Sequence, residues 1–542
     1  MSADNQSDGG VNRHSGMLKK SLGVVFATLL SRILGLVRVR FEANVLGGAE
    51  IASGWHLAFA IPNLLRRILG EGALGNALMP LVADIDSKDG KAGVRKGLGT
   101  VFFILGIILA AIVILVAAAS VALAKIEFFK SIPLLQSERM QIVLELLPLL
   151  MPYGFFMCLV GIAGSVLNYC REFFLPALGA LLLNIFLISG LAAAYFLQVN
   201  DFHKLLKCLT LLVLLSGCIQ LLLMFFLLYR NGSFPDFRGR VSFSSFKNDL
   251  IKKLFSIALP GMIGGVAVQV SFLVDRMVAV YLGAQAVPAL TYVDRLIDLP
   301  IGIFAMSLGA VLMSEMSRSA AKGDMDLFVN DLQFSMRHVF FFCIPMGAGV
   351  VFFYDELMSV LCLGGRYTSS DLEAARMVAM FYGAGIPVFC LLKVIGPAFY
   401  SRKKMMVPLY ASLCAIVLNI ILNFILMRRL QQGGIALATV ISSVVNCAIL
   451  LCVLKKQSLA PRMLPLAGTF IRSLITAAGS GWITTVLVAR IGFASSGWSV
   501  FLLKLIVSGS VFGLCYFGIS ALLRAAELKE LSAILFRRGM IK

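Results

Sequence analysis

Apolar stretches long enough to cross a lipid bilayer recur along almost the whole chain, and residues 101–124 form one such run without a single charge. A helix rises 1.5 Å per residue, so a hydrocarbon core about 30 Å thick takes about 20 apolar residues. Inside it the backbone has no water to bond, and a helix answers by closing its amide hydrogen bonds internally. The pattern therefore predicts an all-α polytopic membrane protein with about fourteen spanning helices. Composition agrees: 59% of the 542 residues are hydrophobic, 14% are charged and the mean hydropathy is +0.92. A soluble chain of this length is far more polar.

Lysine and arginine number 48 against 28 acids, a net charge of +20. In a soluble protein that excess would suggest nucleic acid. Here it gathers in one alternating set of loops: Lys19 and Lys20, the 88–96 loop, Arg171, 230–253, 318–337, Arg402 to Lys404, 455–472 and the C-terminal tail. Basic loops stay in the cytoplasm, which places both termini there and makes the excess a topology signal, with no nucleic-acid partner. Residues 1–16 are polar and predict a disordered tail. The apolar run after Lys20 superficially resembles a signal peptide. It carries Arg32 and Arg38 and lacks a small-residue cleavage site, so it predicts a retained first helix. The 11 cysteines and four histidines are scattered without zinc-ligand spacing. No GxxxxGK[ST], HExxH or aspartate-rich cluster occurs, which argues against an ATPase or a metal-dependent transferase. Transport would then draw on an ion gradient, the membrane potential or downhill substrate flow.

The chain repeats itself. Arg40-Phe-Glu-Ala-Asn-Val-Leu-Gly47 resembles Arg276-Met-Val-Ala-Val-Tyr-Leu-Gly283, Gly75-Asn-Ala-Leu-Met79 resembles Gly309-Ala-Val-Leu-Met313, and Tyr169-Cys-Arg171 resembles Tyr400-Ser-Arg402. Three matches in order, near one offset, indicate a duplication into halves of six spans each. An even number of spans gives both halves one orientation, a parallel repeat. The expected organisation is an N-lobe over 17–230, a cytoplasmic linker over 231–249, a C-lobe over 250–455, and two further spans with a C-tail over 456–542.

The unusual feature is charge inside the spans. Arg32, Arg38 and Arg40 fall in span one (22–46), Arg66 and Arg67 in span two (54–82), Arg276 in span seven (250–282), Arg295 in span eight (288–317) and Lys393 in span ten (377–400). Each costs roughly 2.5–3.5 kcal/mol at a helix centre if it faces lipid. They should face a hydrated interior or pair with acids. Glu42 stands four residues from Arg38 and Asp298 three from Arg295, the spacings at which helical side chains meet. Arg40, Arg67 and Arg276 read as structural or interfacial. An excess of arginine suits phosphate, which the guanidinium grips with a planar fork. Pro62, Gly70, Gly72 and Gly75 in span two allow a broken helix whose amides approach an anion, or simply close helix packing. Asn419 and Asn423 share one helix face and either bond a neighbouring helix or coordinate a cation together with Asp275 and Thr439.

Ser31-Arg-Ile-Leu-Gly-Leu-Val-Arg38, Pro62-Asn-Leu-Leu-Arg-Arg-Ile68 with Glu71-Gly-Ala73, Tyr292-Val-Asp-Arg-Leu296 with Pro300, and Phe399-Tyr-Ser-Arg402 with Pro408 together resemble the MurJ/MviN family of bacterial lipid II flippases, within the multidrug/oligosaccharidyl-lipid/polysaccharide exporter superfamily. The resemblance runs from about residue 17 to the C-terminus and includes the two extra spans. It implies a flippase, not an enzyme, that carries lipid II between leaflets of the inner membrane by alternating access through a cationic central cavity. An exporter of another polyprenyl-pyrophosphate-linked saccharide remains the alternative, ahead of a drug/ion antiporter. The implied substrate-binding set is Arg32, Arg38, Arg66 and Arg295. Glu71, Asp294 and Asp298 are implied in gating or pairing. A sodium ion is implied at Asp275, Asn419, Asn423, the Ile435 backbone and Thr439, with membrane-potential coupling as the other option. A monomer among membrane lipids is expected, working beside cell-wall synthesis and division machinery. Three positions depart from the family pattern by lacking an acid: Val39, Gly54 and Asn423.

Overall fold

The computed structural model describes residues 27–530, without residues 28, 71–72, 127–131, 171, 238–248, 303–315, 317, 320–321, 403, 492 and 494–496. The architecture is all-α, and nine helices among the described residues are long and apolar enough to cross a membrane. By internal packing the chain divides into two units, one ending at Leu273 and the other beginning at Val274.

Unit 1 holds α1 (29–46), α2 (Glu50–Leu65), α3 (Ala73–Lys125), α4 (Glu138–Tyr169), α5 (Phe174–Phe196) and α6 (Phe202–Arg230). A π-helical turn, Arg66–Gly70, follows α2. The central helix is α4, which packs against α2, α3 and α6. Its buried side chains include Leu146, Leu150, Tyr153, Cys158 and Ile162. Its buried positions fall all round the helix, as in a helix at the centre of a bundle, and burying such side chains stabilises the bundle by packing. Small residues let backbones approach: a Cβ on Gly161 would lie 2.2 Å from the Gly70 carbonyl oxygen. The Leu65 carbonyl at the head of the π turn accepts from Cys158 Sγ at 3.5 Å. Of the two readings of the span-two glycines, close packing therefore describes Gly70.

α3 is two helical segments joined at Gly90, whose φ of 61° glycine adopts at little cost. After α6 the chain straps back over unit 1. The Asp236 amide donates to the Arg95 carbonyl at 2.9 Å, and Phe234 packs edge-on against Phe225 and Tyr229. A Cβ on Gly99 would stand 2.1 Å from the Asp236 carbonyl oxygen, so only glycine admits the strap there. The first half of α7 (Asp249–Leu282) contributes Ile251, Leu254 and Ala258 to the same core.

Unit 2 continues with the rest of α7, then α8 (Ala286–Pro300), α9 (Met325–Phe352), α10 (Tyr354–Leu361), α11 (Ser369–Tyr400), α12 (Met406–Lys456), α13 (Met463–Ile491) and α14 (Trp498–Leu522). Here α11 is central, packed against α8, α9 and α12. It matches α4 in having 32 residues, two internal prolines and a C-terminal tyrosine from the repeated motif. A capping box at Thr368 and Asp371 starts it. α12 is interrupted at Gln431, a non-glycine residue at φ 48°, a sparsely populated conformation that costs roughly 1–3 kcal/mol. Tight packing holds that bend: a Cβ on Gly434 would lie 2.5 Å from the Leu426 carbonyl. α13 and α14 join α9 around Phe341, Ile344, Ala477, Phe512 and Tyr516, and the Tyr516 hydroxyl donates to the Phe341 carbonyl at 2.7 Å.

Candidate functional site: arginines and an oxygen cluster in the helix bundle

In unit 1, Arg38 is buried on α1 and held on two sides. Its Nε stands 3.4 Å from Glu42 Oε1 one turn along, and its Nη1 donates to Asn184 Oδ1 on α5 at 3.1 Å. The Asn184 amide in turn donates to the Ser31 carbonyl at 3.2 Å. A lone asparagine in an apolar span thus fixes both the guanidinium and α1. Sequence reasoning missed it, although an amide in so apolar a helix is the signal that marks it. Arg32, on the same helix, is half-buried. Arg66 opens the π turn and donates from Nε to Asn63 Oδ1 at 2.8 Å. Arg67 lies over the Phe272 ring, 5.7 Å from its centroid, a cation–π contact. Glu71 lies outside the described residues.

Two positions that lack the family's acids are closed by packing. Val39 is 1% exposed in the core. A Cβ on Gly54 would meet Ile142 Cβ at 2.7 Å and the Arg139 carbonyl oxygen at 2.9 Å. No carboxylate fits on α2 at that point while α4 lies so close.

In unit 2 the polar residues converge. Asp275 on α7 accepts at Oδ1 from Asn423 Nδ2 at 2.6 Å and at Oδ2 from Thr439 Oγ1 at 3.3 Å. Asn423 Nδ2 also reaches Asn419 Oδ1 at 3.2 Å, and Asn419 Nδ2 reaches Thr439 Oγ1 at 3.2 Å. Thr439 Oγ1 lies 3.0 Å from the Ile435 carbonyl. All five positions named from sequence fall in this one network. Asn419 and Asn423 lie before the bend at Gln431, and Ile435 and Thr439 after it, so the bend brings both segments of α12 to Asp275. The chemistry is one carboxylate with amide, hydroxyl and carbonyl oxygens, all hard donors. A single formal negative charge among neutral oxygens fits a small monovalent cation. Among the described residues no group of three or more His, Cys, Asp or Glu forms a transition-metal site.

Asp294 pairs with Arg276, not with its sequence neighbour Arg295. Arg276 is 5% exposed, and its second nitrogen reaches the Val287 carbonyl at 3.4 Å. Adjacent side chains on a helix diverge by about 100°, so Arg295 faces elsewhere. Its side chain is 35% exposed, with Nη1 3.9 Å from Asp298. A further cluster was invisible in the sequence. Glu527, just past α14, is fully buried and accepts from Thr469 and Arg472 on α13 and from Arg337 on α9.

The family model for "Lipid II flippase MurJ" matches residues 42–509. The chain belongs to the lipid II flippase MurJ family. That makes it a multi-pass membrane transporter of peptidoglycan biogenesis, not an enzyme. A probable lipid II flippase MurJ of Vibrio cholerae serotype O1 is 27% identical over 441 residues, 80% of this chain and 82% of that protein. Among solved structures, a lipid II flippase MurJ in an inward closed conformation superposes with a TM-score of 0.74 at 22% identity, over 92% of this chain and 99% of that one. An inward-facing multidrug resistance transporter of the MATE family and the MOP superfamily superposes at 0.66 with 13% identity, over 79% of this chain and 94% of that one. These likenesses carry the fold, and MurJ shares it with drug exporters.

Proposed function

We propose that this chain flips lipid II from the cytoplasmic to the periplasmic leaflet by alternating access, both termini being cytoplasmic. The observation that carries the reading is the set of arginines inside apolar helices of a MurJ-family chain. Arg32, Arg38, Arg66 and Arg295 grip the pyrophosphate, because a guanidinium meets phosphate oxygens with paired, charge-assisted donors. Asp294 and Asp298 orient basic partners, and Glu71 has the matching role in the N-lobe. The glycan–peptide headgroup follows the pyrophosphate through a cationic cavity while the polyprenyl chain stays in lipid. Drug exporters that take cations would place acids where this chain places arginines.

The oxygen cluster at Asp275, Asn419, Asn423, Ile435 and Thr439 takes sodium. Bound there, the ion would supply a positive charge whose occupancy depends on the gradient across the membrane. The chain's own residues do the rest: Asp275 gives the counter-charge, and the bend at Gln431 holds the donors together. The protein works as a monomer in its lipid surroundings. The test is reconstitution in liposomes with labelled lipid II, following headgroup accessibility with and without a sodium gradient. Movement of lipid II that accelerates under the gradient is expected. Transfer of a different polyprenyl-pyrophosphate saccharide with lipid II left in place would overturn the substrate assignment.

A further inference from the structure

Asp275 and Arg276 are consecutive residues of α7 that serve two different helices. The carboxylate faces α12, taking hydrogen bonds from Asn423 at 2.6 Å and Thr439 at 3.3 Å. The guanidinium faces α8, donating to Asp294 and to the Val287 carbonyl. On α8, Asp294 is followed directly by Arg295, and Asp298 stands one turn on. One peptide step on α7 therefore separates the oxygen cluster from the ion pair that anchors the helix carrying Arg295.

We propose that Arg276 is a positioning residue: its pair with Asp294 transmits occupancy of the oxygen cluster to α8, and so sets where Arg295 stands. The inference rests on the reading that the cluster takes a cation. The physical link is charge. With the cluster empty, Arg276 is attracted by two carboxylates, its neighbour Asp275 and its partner Asp294. A cation held by Asp275 cancels the first attraction and sets a like charge beside the guanidinium. In a site sheltered from water such charges act strongly over a few ångströms. Arg276 is then driven onto Asp294, and α8 is held more firmly. Burial of the guanidinium leaves solvent little scope to absorb the change. An ion with no differential contact to two positions of α8 would move nothing, and this pair provides that differential contact.

The experiment uses the full-length protein in nanodiscs, with sodium chloride against choline chloride at equal ionic strength. Two readouts are taken: the sodium-dependent rise in Tm, which reports ion binding, and amide exchange across residues 286–300, which reports α8. In the wild type, sodium raises Tm and slows exchange in that segment by about threefold or more. Asp275→Asn loses both responses. Arg276→Gln and Asp294→Asn keep the Tm response and lose the exchange response, while Arg276→Lys, which preserves the charge, keeps both. Should Arg276→Gln fold poorly, Asp294→Asn carries the same comparison with the cation side of the pair intact. A sodium-dependent slowing in 286–300 that survives both Arg276→Gln and Asp294→Asn refutes the coupling and leaves the ion site standing. No sodium response in the wild type by either readout refutes the cation reading, and the coupling with it.

Discussion

Replacing Glu527 should loosen the attachment of the two C-terminal helices. Its carboxylate is fully buried, and it accepts from Thr469 Oγ1 at 2.8 Å, from Arg337 Nε and Nη2 at 3.0 and 2.8 Å, and from Arg472. Those donors lie on α13 and α9, while Glu527 itself follows α14. One side chain thus ties three helices together. Breaking a buried ion pair from one side costs about 3–5 kcal/mol, because the partner charge is left uncompensated. Arg337 and Arg472 keep some access to water, with side chains 19% and 29% exposed, and Arg337 retains Glu530 at 3.5 Å. The lower end applies, about 3 kcal/mol for Glu527→Ala. At the usual unfolding entropy per residue, that lowers the Tm of unit 2 by about 5 °C. Glu527→Gln keeps an acceptor and should lose about half as much. Burial pushes the Glu527 carboxyl up, but hydrogen bonds from its own backbone amide, Thr469 and Arg337 more than offset this and hold it below its ordinary value. A carboxylate depressed in the folded state stabilises above its unfolded pKa, and that stabilisation disappears as pH falls through the folded value. The gap in Tm between wild type and Glu527→Gln should therefore be flat at neutral pH and close under acid. The assay is thermal unfolding in detergent across that range. A Glu527→Ala protein melting within about 2 °C of wild type would refute the argument.

Gly54→Asp should destabilise unit 1 by about 1–3 kcal/mol, since its Cβ meets Ile142 and the Arg139 carbonyl; a thermal melt equal to wild type would show that α2 yields freely. Gly161→Ala should cost about as much through the Gly70 carbonyl, and unchanged detergent stability would count against the close α4 approach. Arg38→Ala and Arg295→Ala should insert in the membrane yet fail to support growth of a flippase-depleted cell, and complementation by both would remove their assigned role.

Helical architecture was legible because a bilayer leaves a long apolar run few alternatives. The 3.6-residue period also exposed Arg38 with Glu42 and Arg295 with Asp298, pairs close in sequence. Pairs from distant helices were not legible. Arg276 meets Asp294 across the α7–α8 turn, Arg38 meets Asn184 at a separation of 146 residues, and Glu527 gathers donors from as far back as Arg337. No spacing rule joins such residues, since tertiary packing alone decides which helix faces which. The glycines were read as either breaks or packing surfaces, and only atomic distances separate the two.

The duplication sharpens the division between the units. At the offset that aligns Arg40 with Arg276, Val39 stands where Asp275 stands. In unit 1 Asn184 accepts from Arg38; in unit 2 Asn419 belongs to the Asp275 network. One half therefore holds a covalently tethered cation beside an asparagine, and the other a carboxylate among amide, hydroxyl and carbonyl oxygens. A guanidinium cannot leave, so on the sodium proposal unit 1 has a permanent charge where unit 2 would take an exchangeable one. Ion dependence should then reside in unit 2 alone. Arg38→Ala should leave the sodium-dependent rise in Tm unchanged within about 1 °C, whereas Asp275→Asn should abolish it. If Arg38→Ala removes the sodium response while Asp275→Asn keeps it, the division is wrong.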